Sequence, residues 1–184
     1  LQLERAPVLD LGCGPGSLLV ALALHEANLR AWGIDANPAM CRTARARLRE
    51  MGASRRVTIV RGDSREVWRA LPERVREQVQ LLVAGDLVNE WFADSARVVS
   101  WLAGLRATFP GRVLVVSDYY GRLGTGLPAD RQTLLHDYVQ AVSGQGIPAP
   151  TRDAWDALYR QAGCRLVHCV EDTVATRFVH IVAL

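Results

Sequence analysis

Val8-Leu9-Asp10-Leu11-Gly12-Cys13-Gly14-Pro15-Gly16 is the stretch whose reading decides the fold. An apolar, strand-like run ends in a turn with glycine at every second position. Glycine there lets the backbone pass close to a ligand, because a side chain would collide with it. The run from Ser17 onward has a helical pattern, so the turn lies at a helix N-terminus, which suits a nucleotide-like ligand. Asp10 narrows the choice. An acid two residues before the first glycine repels a pyrophosphate and suits an ammonium. The spacing G-x-G-x-G also differs from the G-x-G-x-x-G of dinucleotide-binding turns.

Beyond this turn the chain alternates strand-like and helix-like segments, which argues for a parallel sheet covered on both faces. The expected strands are Ala6 to Leu11, Ala31 to Asp35, Val57 to Val60, Val79 to Ala84 and Arg112 to Ser117. Between them lie expected helices at Ser17 to Leu29, Pro38 to Met51, Ser64 to Leu71 and Ser95 to Thr108, the last capped by Asp94. After Tyr119 the rhythm changes. A helix is expected at Arg131 to Val142 and another at Thr151 to Ala162. Two closing strands follow, Arg165 to Val170 and Phe178 to Ala183.

The motif Asp10-Leu11-Gly12-Cys13-Gly14-Pro15-Gly16 resembles motif I of the Rossmann-like (class I) S-adenosylmethionine (SAM) dependent methyltransferases, and the resemblance covers nearly the whole chain. It implies an α/β fold: a doubly wound, mostly parallel seven-stranded sheet with helices on both faces and an antiparallel C-terminal strand. It implies SAM as cofactor and a methyl acceptor, with the whole chain, 1–184, as one domain. Helices usually precede strand one in this family and cover the cofactor. They are expected to lie outside this chain, supplied by a larger synthase or a partner chain.

In open α/β sheets ligands bind at the carboxyl ends of the strands. Around motif I the expected cofactor contacts are Asp10, Gly12, Cys13, Gly14 and Gly16. Strand two ends at Asp35, followed by Ala36. An acid there accepts hydrogen bonds from ribose hydroxyls, the competing role being a helix cap. Strand three ends in Asp63-Ser64, suited to the adenine amine, again with a cap as rival. Strand four ends in Gly85-Asp86, next to the methionine part of the cofactor in the resembled family. Asn89 and Glu90 follow as candidates to orient or deprotonate an acceptor. Strand five leads into Tyr119, Tyr120 and Arg122, an expected acceptor wall. Of four histidines, only His136 falls where acceptor-binding elements sit; His180 reads as structural. The catalytic candidates are therefore Glu90, Asn89, Tyr119 and His136.

Composition sets the outer limits. With 49% hydrophobic and 22% charged residues the chain is ordinary for a globular protein. No apolar run reaches the roughly 20 residues of a membrane span. All 22 basic residues are Arg, and the net charge of +3 is too small to imply nucleic acid. Arg42, Arg45 and Arg49 recur at helical spacing, with Arg47, Arg55 and Arg56 nearby. This makes RNA the alternative acceptor to a small molecule, natural-product or carrier-bound. A domain that binds SAM without methyl transfer is the further alternative. Cys13, Cys41, Cys164 and Cys169 have no metal-ligand spacing and read as reduced thiols of a cytoplasmic protein.

Overall fold

Val8-Leu9-Asp10-Leu11 is buried at every position, so β1 (Val8–Leu11) can only be an interior strand. The computed structural model describes residues 6–172 and 176–184. It divides into two compact units between Gly85 and Asp86.

The first unit is a βα alternation. Its elements are β1, α1 (Ser17–His25), β2 (Ala31–Asp35), α2 (Pro38–Glu50), β3 (Val57–Arg61), α3 (Val67–Ala70), α4 (Glu73–Gln78) and β4 (Leu81–Gly85). All strand pairs in it are parallel, in the order β3-β2-β1-β4. In register, Asp10 lies between Gly33 of β2 and Val83 of β4. Leu19, Cys41, Ala44, Leu48, Val57 and Ile59 form much of the core beside the sheet. Gly33 keeps this packing tight, since a Cβ there would lie 2.6 Å from Leu19 and 2.7 Å from the Cys13 sulfur.

The second unit holds α5 (Ser95–Thr108), β5 (Val113–Tyr119), α6 (Arg131–Val142), α7 (Arg152–Gln161), β6 (Arg165–Asp172) and β7 (Arg177–Ala183). β7 lies antiparallel between β5 and β6. The expected α/β character is therefore borne out: a parallel βα set followed by an antiparallel C-terminal pair.

Several boundaries differ from expectation. α1 stops at His25 because Glu26 adopts an extended conformation. The single helix expected at Ser64 to Leu71 is a 3₁₀ turn (Ser64–Glu66) running into α3, and α4 follows Pro72 where no helix was expected. β5 continues two residues past Ser117 because β7 continues to pair with it, Tyr119 opposite Arg177.

Candidate active site

The glycine turn is held in shape by backbone geometry that only glycine adopts freely. Gly12, Gly14 and Gly16 have φ of 68°, 51° and 76°. Their surroundings differ. A Cβ on Gly16 would lie 3.0 Å from the Ala44 Cβ, so this glycine serves packing of α2 against the turn. A Cβ on Gly14 would meet nothing within 4 Å, so this glycine borders open space. Gly85, at the end of β4, is equally open. Cys13 is buried, its N–H donating to the Ile34 carbonyl at 3.0 Å. Burial first, then Asp10 and Asp35, push its thiol up to about 12, so it stays protonated.

Asp35 is tied to this turn. One carboxylate oxygen accepts from Gly14 N–H at 2.8 Å and the other from Asn37 N–H at 2.7 Å. It does not cap α2. Asn37 does, through its own side chain to Ala39 N–H at 2.9 Å. The cap competing for Asp35 at the level of sequence thus falls to Asn37, and Asp35 is placed by the motif. Ala36 is exposed beside it.

Asp10 is 4% exposed and has no ion-pair partner among the described residues. Burial, and secondarily the negative charge of Asp35, raise its pKa to about 7. A buried acid beside open backbone, with no cation to neutralise it, is chemically matched to a cationic ligand. This is the observation on which the residues fit SAM, which carries an ammonium and a sulfonium.

Asp63 is engaged differently. Its carboxylate accepts from Arg65 N–H and pairs with the Arg65 guanidinium at 2.6 Å, while capping the 3₁₀ turn; Ser64 is buried beside it. The Arg65 hydrogen bond holds its carboxyl below the usual range.

In the second unit, Asp86 has a left-handed backbone (φ 47°), which strains a non-glycine residue, and its carboxylate pairs with Arg177. A 3₁₀ turn, Val88–Trp91, carries Asn89 and Glu90; Asn89 is buried and Glu90 exposed. Tyr119 stacks on His136 of α6, with ring centroids 4.5 Å apart. Both line a cavity of about 120 Å³ together with Asp130, Gln132, Thr133 and Arg177. The Tyr119 hydroxyl is raised well above the usual phenol range by burial and then by Asp137.

Reasoning from sequence alone missed Asp118 and Asp137. The Asp118 carboxylate, fully buried, accepts from Asn89 N–H at 3.1 Å and Tyr119 N–H at 2.9 Å. Burial raises its pKa to about 7. An available signal was its phase: Leu114, Val116 and Asp118 alternate inward along β5, so an acid stands where an apolar residue belongs. Asp137, also fully buried, accepts from Arg122 N–H at 2.5 Å and Leu123 N–H at 2.8 Å.

The expected acceptor wall narrows accordingly. Tyr120 turns into the core, its hydroxyl within hydrogen-bond distance of Glu171 (2.5 Å) and His180 Nε2 (3.1 Å). Arg122 donates to the Pro150 carbonyl rather than presenting a free fork. His180, bracketed by Tyr120 and by Tyr159 at 3.0 Å, is structural as expected. The supposed basic face is also committed elsewhere. Arg45 donates to the Ile59 carbonyl, Arg47 to Pro15 and Ser17, and Arg56 to the carbonyls of Glu26 and Ala27.

Residues 8–103 match the family model described as a methyltransferase domain. The chain belongs to this family. The class I SAM-dependent methyltransferase expected from motif I is thereby borne out. A trans-aconitate 2-methyltransferase from Methylobacterium radiotolerans is 31% identical over 138 residues, 75% of this chain and 44% of the relative. The aclacinomycin 10-hydroxylase RdmB of Streptomyces purpurascens is 34% identical over 161 residues, 86% and 40%. Among solved structures, the mitomycin 7-O-methyltransferase MmcR superposes with a TM-score of 0.80 at 20% identity, over 97% of this chain and 49% of that one. This likeness shows the shared methyltransferase fold. The chain spans about half the length of the curated relatives it matches.

Proposed function

We propose that the protein transfers a methyl group from SAM to a small-molecule acceptor. The observation that carries this is Asp10, buried and without a partner cation next to the open backbone of Gly14. In this reading Asp10 faces the cationic part of the cofactor. Gly12, Cys13, Gly14 and Gly16 form the turn around it. Asp35, with Ala36, takes the ribose hydroxyls through lone pairs left free by Gly14 and Asn37. Asp63 and Ser64 serve the adenine, and Gly85 and Asp86 the methionine end. Bound SAM supplies an electrophilic methyl group on its sulfonium.

The chain's own contribution is alignment and removal of the acceptor proton. His136, stacked on Tyr119 at the cavity, is the group we assign to the proton, with Glu90 and Asn89 on the acceptor side. His136 Nε2 lies 3.4 Å from the Gln140 side-chain amide, whose oxygen is buried without a partner. With that amide turned over, its oxygen accepts from Nε2–H and leaves Nδ1 as the basic nitrogen. A cavity of about 120 Å³ with polar lining suits a small polar acceptor group rather than a large apolar body. Relatives named for trans-aconitate and malonyl-carrier methylation act on acceptors of this scale or on carriers. The engaged arginines of α2 and its flanks speak against RNA. We place the protein in the cytoplasm, with N-terminal covering helices supplied by a larger synthase or a partner chain.

A second reading has one observation in its favour: RdmB is named as a hydroxylase. A SAM-binding domain without methyl transfer would bind the cofactor yet methylate nothing. Incubation with SAM and panels of hydroxy acids, phenols and carrier thioesters, read by mass spectrometry, separates the two. A methylated product lost in His136→Ala supports transfer. Cofactor binding with no product across the panels supports the second reading.

A further inference from the structure

Helix α6 is built inside out. Its buried residues are Thr133, Asp137 and Gln140, all polar. Its outward face carries Leu135, Tyr138, Val139 and Val142, which are 64%, 58%, 50% and 65% exposed. At roughly 100° per residue these four fall in one stripe opposite the buried three. A surface helix normally has the reverse arrangement. The polar inner face has its own work. Thr133 and His136 line the cavity, and Asp137 holds the N–H groups of Arg122 and Leu123. That tie draws the preceding loop, with Leu123 and Leu127 partly exposed, alongside the helix.

We propose that this face is a self-association surface, occupied by α6 of a second copy running antiparallel. Three features favour a copy of itself. The stripe spacing i, i+3, i+4, i+7 is the same from either end. A two-fold axis between Tyr138 and Val139 therefore sets Leu135 against Val142 of the second copy and Tyr138 against its Val139, larger side chains against smaller ones. No charged side chain stands on the exposed face from Gln132 to Val142. Two copies therefore meet there without like-charge repulsion, which an all-arginine basic surface would otherwise bring. The segment from Leu123 to Val142 also matches the lower end of the roughly 20–30 residues per side of a standard interface. The resulting dimer is concentration-dependent.

Sedimentation velocity from low to high micromolar concentration tests this, on the parent and on Leu135→Glu/Val142→Glu. Circular dichroism melting verifies that the variant is folded, and Tyr138→Arg serves as the second variant. The expected result is a dimer in the parent and at least tenfold weaker association in both variants. Mixing Leu135→Cys with Val142→Cys chains should give disulfide-linked dimers under mild oxidation, while Leu135→Cys alone should not. A parent that is monomeric throughout overturns the proposal, whether the face then binds lipid vesicles or another polypeptide. So does a dimer that survives in the folded variants, or a Leu135→Cys chain that cross-links to itself.

Discussion

The Asp118 carboxylate accepts a hydrogen bond from the backbone N–H of Asn89, 29 residues earlier in the chain, at 3.1 Å. Its other oxygen accepts from Tyr119 N–H at 2.9 Å. One buried acid thereby fixes two segments that both carry acceptor-side candidates.

Removing that acceptor strands two buried donors. Asp118→Ala should destabilise the fold by about 2 kcal/mol or more, since an unsatisfied buried group costs about 1–3 kcal/mol. Asp118→Asn keeps one acceptor oxygen and should lose less. Urea denaturation of both variants reads the difference. Equal stability of Asp118→Ala and the parent would refute the bridging role.

Asp10 makes stability depend on pH. Its folded pKa, about 7, lies above its ordinary 3.8, so its contribution is fully present below about pH 4 and lost as pH rises through 7. His180 works the other way. Burial lowers it to about 4 from 6.5, so its contribution is present above 6.5 and lost as pH falls towards 4. Because the two oppose each other, the parent's net profile is not diagnostic. The difference between Asp10→Asn and the parent is. The variant should gain on the parent by up to about 1.4 kcal/mol per pH unit between pH 4 and 7. Denaturation midpoints at pH 5 and pH 7.5 check this.

The same acid links cofactor binding to protons. A cation next to Asp10 favours its carboxylate, so binding should release a proton near pH 6–7 and tighten as pH rises to 8. Calorimetry in two buffers of different ionisation enthalpy measures the released proton. In Asp10→Asn the release should vanish.

Gly14 and Gly16 should separate binding from folding. Gly16→Ala meets both a left-handed backbone and Ala44, and should destabilise by about 1–3 kcal/mol. Gly14→Ala carries only the backbone strain, roughly 1 kcal/mol, because its Cβ would point into open space. Yet it should weaken cofactor binding at least as much, since that space borders the proposed ligand. Melting temperature and cofactor titration together distinguish the two.

Tyr159→Phe should cost about 1–3 kcal/mol, because it leaves His180 Nδ1 buried and unpaired. Thermal unfolding reads this, and the cofactor affinity should not change.

Much of the first unit was legible in the sequence because its signals are local. A buried apolar strand, a glycine turn and an acid at the end of β2 occur in order, and each acts on backbone a few residues away. Asn37 taking the α2 cap is a detail of the same kind, decided by two residues of spacing. The second unit was less legible, because what organises it is long-range. Asp118 looked like one more residue at a strand end until β7 extended β5 by two residues and closed the carboxylate in. Asp137 sits in a helix whose apolar residues point outward, so periodicity located α6 and hid which face is buried. Tyr120 and Arg122 stood in a segment where chemistry was expected. The contacts that occupy them, Glu171, His180 and Pro150, lie 28 to 60 residues away.

The central claim is that the first unit holds SAM through Asp10 and Asp35. Calorimetric titration with S-adenosylhomocysteine, on the parent and on Asp35→Ala shown to be folded, tests it most directly. The account predicts micromolar binding by the parent and a loss of tenfold or more in the variant. Binding that is unchanged in Asp35→Ala, or absent from a folded parent, would contradict it.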